Sequence, residues 1–304
     1  MAIDTLTLSW RNYLELCKPK VVLLIVFTAV VGMLLATPGY PSIELFIYST
    51  LGIGLAASSA AAINHFLDQK ADAKMTRTEN RPLPSGELNS FNVIGFALIL
   101  GTLSMVILVL KVNLLTAILT FLSLVGYAVI YTVFLKHMTP QNIVIGGAAG
   151  AAPPVLGWCA MTGEVHPYAL LLFLIIFVWT PPHFWALAIA KREEYAKVDI
   201  PMLPVTHGTE FTRLQILLYT ILLMIVTLLP YLTGMSGLIY LATAVPLGLG
   251  FIYYAIKMMR TKDNKTAMKT FGFSIVYLMI IFAALLIDHY VFVVLSSTNL
   301  VKIT

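Results

Sequence analysis

The sequence predicts an all-α integral membrane protein with nine transmembrane helices and a cytoplasmic amino terminus. Of its 304 residues, 59% are hydrophobic and only 11% are charged, a balance that is unusual for a soluble domain. A helix that spans the bilayer needs roughly 20 predominantly apolar residues. Nine such segments are present, at 21–36, 46–67, 91–110, 113–135, 141–160, 168–190, 213–233, 236–256 and 271–297. We therefore expect one polytopic membrane domain over residues 1–304.

The distribution of basic residues predicts the orientation of these spans. With a cytoplasmic amino terminus, all of the 19 lysines and arginines except Lys111 and Lys302 fall on the cytoplasmic side. This asymmetry follows the positive-inside rule. It also accounts for the net charge of +5, so a nucleic-acid partner is not indicated. The two cysteines, Cys17 and Cys159, indicate neither a disulfide framework nor a thiolate metal site.

Polar residues are concentrated at the cytoplasmic end of the second span, in AINHFLDQKADAKMTRTENRPLPSG at 62–86. Asn64, Asp68 and Asp72 follow at intervals of four, so on a helix they share one face, with a drift of about 40° per step. Two carboxylates and an amide are hard oxygen ligands that suit Mg²⁺. Three cations that suit a diphosphate follow directly: Lys74, Arg77 and Arg81. The alternative is a helix end that gathers charge where it becomes hydrated.

A second polar loop, AKREEYAKVDIPMLP at 190–204, again mixes cations with carboxylates. Both loops are long connections that we expect on the cytoplasmic side. Taken by itself, the second loop is equally well explained as a solvated loop of a membrane protein.

The sixth span ends in WTPPHFWALAIAK. Pro181 and Pro182 are expected to break the helix just before His183, because proline lacks an amide N–H. A broken helix inside a bundle usually lines a cavity, so His183 would face a substrate. Neighbouring aromatic side chains would form the walls of this cavity: Trp179, Phe184 and Trp185. The alternative is a histidine that only packs among aromatic rings.

Small residues recur in IGGAAGAAPPVLGW at 145–158. Their helical spacing favours close packing against another helix. A phosphate-binding loop is a weaker alternative, because no Lys-Ser/Thr pair follows the glycines.

Four motifs in this order resemble one family of membrane enzymes. They are NHFLDQKADAKMTRTENRPLPSG, YTVFLKHMTPQNIVIGGAAGAAPPVLGW, TPPHFWALAI and IPMLPVTHG, and the similarity runs from LCKPKVV at 16–22 to about residue 210. The chain resembles the UbiA superfamily of intramembrane prenyltransferases, and within it the members that farnesylate haem. The resemblance implies a UbiA-type bundle of nine helices around a central cavity that the two polar loops cap. It also implies farnesyl diphosphate and haem B as substrates, and haem O and diphosphate as products.

The resemblance further implies roles for single residues. In the superfamily both loops carry aspartate-rich motifs for Mg²⁺ and diphosphate. The first is matched by Asn64, Asp68 and Asp72, with the two aspartates as metal ligands, and Arg77 and Arg81 neutralise the leaving group. The second loop lacks a clean Asp-x-x-x-Asp, and its residues carried over as substrate contacts are Lys191, Arg192, Glu194 and Asp199. Further substrate contacts, including a haem contact from the histidine, are expected from Lys74, Tyr131, Lys136 and His183.

The implied cofactor is Mg²⁺, and haem B is a substrate rather than a cofactor. The expected partners are farnesyl diphosphate, haem B and the lipid bilayer, with a haem A synthase or a terminal oxidase as a further partner. We expect a multi-pass protein of a bacterial inner membrane, because no Arg-rich, Ser-rich transit segment precedes the first span. Three alternatives stay open: a UbiA-type enzyme that acts on a quinone precursor or a chlorin, an ion-coupled transporter, and a non-catalytic assembly factor for a respiratory oxidase.

Overall fold

The computed structural model describes residues 10–76 and 78–301, with side chains as far as residue 293. The regular elements of this part are helices. They are α1 (Trp10–Leu16), α2 (Pro19–Leu35), α3 (Ile43–Asp72), α4 (Ser90–Lys111), α5 (Leu114–Met138), α6 (Asn142–Thr162), α7 (Pro167–Ala190), α8 (Arg192–Ala196), α9 (Leu203–Thr206), α10 (Gly208–Leu232), α11 (Leu238–Thr261) and α12 (Asn264–Val301). Consecutive long helices pack on one another, and α12 returns to contact α2, so the bundle closes into a ring.

The nine predicted spans are confirmed within the described residues. Eight helices are long and apolar enough to cross a membrane, and the bent pair α1 and α2 provides a ninth. Several helices extend beyond the predicted spans, among them α3 and α12. α3 continues to Asp72, and α12 begins at Asn264, where Asp263 accepts hydrogen bonds from the backbone N–H and the hydroxyl of Thr266. These bonds cap the helix and hold the pKa of Asp263 below its usual value.

The first span bends by 52° between α1 and α2. Lys18 has a φ of 48° in the left-handed region, and Pro19 begins α2. The ordinary helical conformation is disfavoured for a residue before proline, because the proline ring clashes with its backbone. The Lys-Pro step therefore redirects the chain and turns the Lys18 side chain toward α3.

The small residues of α6 allow α2 to approach closely, as the sequence predicts. A Cβ atom on Gly32 would clash with the carbonyl oxygen of Pro154, and one on Gly157 would clash with the carbonyl oxygen of Ala29. Close contact between backbones is a common way for helices to associate in membranes.

The predicted break at Pro181 and Pro182 is wrong, because α7 runs without interruption from Pro167 to Ala190. The two prolines still remove amide donors from the helix. Neighbouring groups hold this region in place: the Thr180 hydroxyl donates to the carbonyl of Ile176 (2.8 Å), and the Trp179 indole donates to the carbonyl of Ser274 on α12 (2.8 Å). Such side-chain bonds and the packing of neighbouring helices let a membrane helix pass through proline.

A buried carboxylate of α12 holds the start of α11. Asp288 of α12 accepts hydrogen bonds from the Ser236 hydroxyl and from the backbone amides of Gly237, Ile239 and Tyr240. These amides lie at the start of α11, where a helix leaves its first N–H groups without partners. The carboxylate therefore caps a neighbouring helix.

Candidate active site

The polar residues of α3 form a buried ladder, which we define as Asn64, Asp68 and Asp72. Their exposed fractions are 4%, 7% and 5%, although all three occupy the last turns of a membrane-spanning helix. The side-chain amide of Asn64 donates to Asp68 Oδ2 over 2.8 Å. Buried carboxylates require compensation by charge or by hydrogen bonds, and the surrounding elements provide it.

The carboxylate of Asp68 is neutralised by α5. Lys136 Nζ lies 2.6 Å from Asp68 Oδ2, and both side chains are nearly buried. Residues 126–135 of α5 are π-helical, a geometry that frequently occurs at functional sites. Within this stretch, the Thr132 hydroxyl donates to the Tyr127 carbonyl and lies 3.3 Å from the amide nitrogen of Asn64. The π-helical stretch thus positions two side chains of α5 on the ladder.

The carboxylate of Asp72 is neutralised by the loop after α3. Arg81 NH1 lies 2.6 Å from Asp72 Oδ2, and the Thr78 hydroxyl donates to the Asp72 carbonyl (2.9 Å). Lys74 is exposed and makes no hydrogen bond or ion pair with the ladder in the described part of the chain. Arg77 lies outside the described residues, so its role stays a prediction.

Lys18 is a member of the site that sequence reasoning missed. Its Nζ donates to Asn64 Oδ1 over 2.5 Å, from the bend between α1 and α2. The sequence signal was present in the Lys-Pro step. The position of Lys18 at the site depends on the bend between α1 and α2, and residue spacing along the chain does not predict this bend.

His65 lies about 100° around the helix from Asn64, so it does not share the face of the ladder. It is 2% exposed, and neither ring nitrogen has a hydrogen-bond partner among the described residues. With Lys18 and Arg81, it lines a cavity at the bend between α1 and α2.

Aromatic rings of α5 lie on the same helix as Lys136. Tyr131 stacks on Tyr127, with ring centroids 5.6 Å apart. A Cβ atom on Gly146 would clash with the Tyr131 ring, so the missing side chain of α6 leaves the space that this ring fills.

The second polar loop packs against the first through apolar side chains. Met75 joins Ile200 and Met202 in one buried cluster. The charged residues of the second loop are not brought to the ladder by any hydrogen bond or ion pair among the described residues. Lys191 pairs instead with Glu194 at 2.8 Å. Arg192 and Asp199 are exposed, and Asp199 has a φ of 52°.

His183 is held between α7 and α12. Its ring stacks on Trp179 at 4.2 Å and on Phe271 at 4.5 Å, and Nδ1 lies 2.6 Å from the Ser274 hydroxyl. Of the predicted aromatic walls, Trp179 and Trp185 are buried, whereas Phe184 is 40% exposed. The structure therefore shows a packed, hydrogen-bonded histidine, and its contact with a substrate stays a prediction.

The ladder fits a metal that shares its coordination with a substrate. No group of three or more His, Cys, Asp or Glu side chains able to hold a metal occurs among the described residues. Two carboxylates and an amide fit Mg²⁺, which usually keeps several waters and takes further oxygens from substrate phosphates.

The sequence matches the UbiA prenyltransferase family over residues 25–294. Among its relatives, a protein named protoheme IX farnesyltransferase from Methylococcus capsulatus is 68% identical over 93% of this chain and 95% of the relative. A protein of the same name from Nitrosococcus oceani is 61% identical over 93% of this chain and 94% of the relative.

Solved structures share the fold at low sequence identity. A digeranylgeranylglyceryl phosphate synthase structure has a TM-score of 0.77 at 21% identity, covering 92% of this chain and 98% of that one. A UbiA homologue from Archaeoglobus fulgidus bound to DMAPP and Mg²⁺ has a TM-score of 0.63 at 16% identity, covering 90% of this chain and 99% of that one.

Proposed function

Because the chain belongs to the UbiA prenyltransferase family, we propose that it transfers the farnesyl group of farnesyl diphosphate to a vinyl group of haem B. Water adds in the same conversion, and the products are haem O and diphosphate. The relatives named protoheme IX farnesyltransferase support this choice of substrates, since they are similar over more than nine-tenths of the chain. The structural observation that carries the proposal is the buried ladder and the three cations around it.

The ladder suits the diphosphate head of the donor. Asp68 and Asp72 would hold Mg²⁺, because this ion typically binds one or two carboxylates in phosphate sites. When bound, Mg²⁺ supplies positive charge that neutralises the diphosphate. The Archaeoglobus fulgidus homologue of the same fold is bound to DMAPP and Mg²⁺, which supports this metal.

The cations around the ladder are proposed to exchange partners when the donor binds. Without substrate, Lys136 and Arg81 neutralise Asp68 and Asp72 at 2.6 Å each, and Lys18 donates to the neighbouring amide. In the complex the same three cations donate to phosphate oxygens. Positioned cations stabilise the charge that develops on a leaving group, so they favour heterolysis of the allylic C–O bond.

The resulting allylic carbocation must react with the haem vinyl group before it reacts with water. Tyr127 and Tyr131, on the same helix as Lys136, present stacked aromatic faces of the kind that stabilise cations. The vinyl π-electrons form the new C–C bond. The second cation, which haem stabilises, takes up water and loses a proton, leaving a hydroxyl group.

His183 is the residue that we propose for a haem contact, through the iron or through a propionate. Its Nδ1 is held by Ser274, so Nε2 is the atom that a ligand would meet. Imidazole is a common ligand of haem iron. The charged residues of the second loop are proposed as substrate contacts that form when the loop meets the bound diphosphate: Lys191, Arg192, Glu194 and Asp199.

The surroundings of the enzyme are part of the proposal. We place the ladder at the cytoplasmic side of a bacterial inner membrane, in a single domain over residues 1–304. The basic residues near the ladder support this orientation, and the bacterial relatives support the compartment. A haem A synthase or a terminal oxidase in the same membrane would take up the product.

An ion-coupled transporter is less well supported. Such a protein uses carboxylates within the membrane along its transport path. Asp288 is a buried carboxylate within a span, but its oxygens accept hydrogen bonds at the start of α11. The ladder lies at a helix end and is surrounded by cations, which suits an anionic ligand better than a transported cation.

A panel of substrates tests this proposal. Purified protein in phosphatidylcholine nanodiscs would receive Mg²⁺, farnesyl or geranyl diphosphate, and one of three acceptors: haem B, 4-hydroxybenzoate or chlorophyllide. Chromatography with mass spectrometry identifies the product. We expect a haem heavier by one farnesyl group and one hydroxyl group, which a chelator prevents. Prenylation of another acceptor, with haem B unchanged, would contradict the proposed acceptor but keep the family chemistry.

A further inference from the structure

A cavity of about 390 Å³ lies at the bend of the first span, next to the ladder, because Lys18 and Arg81 line it and also contact Asn64 and Asp72. We call it the elbow cavity. Four cations and one carboxylate contribute to its lining: Arg11, Lys18, Lys20, Arg81 and Glu15. Arg11 and Lys20 are exposed at its rim and make no ion pair with another described residue. Arg81 is paired with Asp72 and Lys18 donates to Asn64, so the positive charge without an ion pair among the described residues is that of Arg11 and Lys20 at the rim.

The inner wall of the elbow cavity contains His65. This side chain is 2% exposed, and both ring nitrogens are buried without a hydrogen-bond partner among the described residues. Buried polar groups nearly always have partners. A neutral imidazole offers one N–H donor and one acceptor, so a ligand with oxygen acceptors would satisfy its N–H group.

The rim combines these charges with apolar surface. Leu14 and Val21 also line the cavity and are 48% and 55% exposed. Trp10, one residue before Arg11, is 55% exposed, and Arg11 lies over its ring at 5.8 Å. Tryptophan and basic residues beside a span are typical of the membrane interface. The elbow cavity thus opens where lipid headgroups meet acyl chains.

We propose that the elbow cavity binds the phosphate headgroup of an anionic phospholipid. The rim cations and His65 donate to the phosphate oxygens, while Leu14 and Val21 contact the first part of the acyl chains. Basic pockets between membrane helices are a known means of binding anionic headgroups. Free diphosphate and the haem carboxylates share this oxygen chemistry. The exposed apolar rim favours a lipid.

Native mass spectrometry of the full chain tests the proposal without any substrate. The protein would be released from nanodiscs of phosphatidylcholine mixed with phosphatidylglycerol, and retained lipids would be counted. Arg11→Gln and Lys20→Gln remove one rim cation each, and Lys269→Gln is the control, since Lys269 is exposed on α12 outside the cavity. We expect phosphatidylglycerol retention to fall about fivefold in each rim variant and to stay unchanged in the control.

A second measurement separates lipid from the other anions. In phosphatidylcholine alone, the rim variants should show the KM values of the unmodified protein for haem B and farnesyl diphosphate. Equal phosphatidylglycerol retention in rim and control variants would overturn the proposal. A raised KM for haem B or for farnesyl diphosphate, with lipid retention unchanged, would also overturn it and assign the cavity to that substrate. The lipid measurement uses no substrate, so its result does not depend on whether the enzyme turns over haem.

Discussion

Asp68 is the residue on which most contacts of the ladder converge. It accepts from the amide of Asn64 at 2.8 Å and from Lys136 at 2.6 Å, and it is 7% exposed. Removal of one partner from such a buried pair leaves a charge without compensation. Loss of the carboxylate or of its cation should therefore disturb the ladder. Single substitutions can separate the structural role of the ladder from its catalytic role.

Lys136→Gln should lower the turnover of haem B about 10²- to 10³-fold, because a preorganised cation no longer meets the charge on the leaving group. Lys136→Arg, which keeps the charge, should recover part of this loss. Size-exclusion chromatography and thermal unfolding of the purified variants verify that each is folded. Lys269→Gln serves as the control. Turnover of Lys136→Gln equal to that of the control would contradict the role of Lys136.

His183→Ala should weaken haem binding by about tenfold or more, measured by titration of the haem absorbance, and should affect the binding of labelled farnesyl diphosphate less. Ser274→Ala provides the comparison, because it removes the hydroxyl that contacts Nδ1 (2.6 Å) and that donates to the Phe271 carbonyl (2.6 Å), and keeps the His183 ring. If both variants lost haem affinity equally, His183 would act by packing α7 against α12. Unchanged haem affinity in His183→Ala would remove the proposed contact.

Close packing between helices, together with bends and irregular turns within them, positions the side chains of the site. The bend at Lys18 and Pro19 directs one cation to the ladder, and the π-helical stretch at 126–135 directs Thr132 there. The spacing of Asn64, Asp68 and Asp72 is local, so the sequence predicts that they share a face. Contacts of Lys18 and Thr132 with α3 depend on bends and helix packing, which residue spacing does not encode.

Gly157→Ala should destabilise the bundle by about 1–3 kcal/mol, because the added methyl group meets the backbone of Ala29 rather than a movable side chain. Gly150→Ala is the matched control in the same helix, since nothing lies within 4 Å of the position of its Cβ atom. Thermal unfolding in one detergent compares the two. Equal stability of both variants would show that the close contact between α2 and α6 is not required.

Over the full bundle, the length of the apolar segments and the distribution of charge are sufficient to predict nine spans, because each span must satisfy its own backbone in the bilayer. The prediction failed at Pro181 and Pro182, where neighbouring helices keep α7 continuous. It also placed the end of the second span at 67, although Lys18, Lys136 and Arg81 allow α3 to carry buried carboxylates to Asp72. Tertiary contacts determine both the continuity of α7 and the end of α3.

We propose that the ladder is a catalytic diphosphate site and not only a structural network of charges. The most direct test compares Asp68→Asn with Asp288→Asn, two substitutions at buried carboxylates that each accept hydrogen bonds from another element or side chain. Formation of haem O per folded molecule is measured with saturating haem B, farnesyl diphosphate and Mg²⁺. We predict that Asp68→Asn abolishes turnover, whereas Asp288→Asn lowers thermal stability but retains turnover. Haem O formed by folded Asp68→Asn at the rate of the unmodified protein would contradict the account.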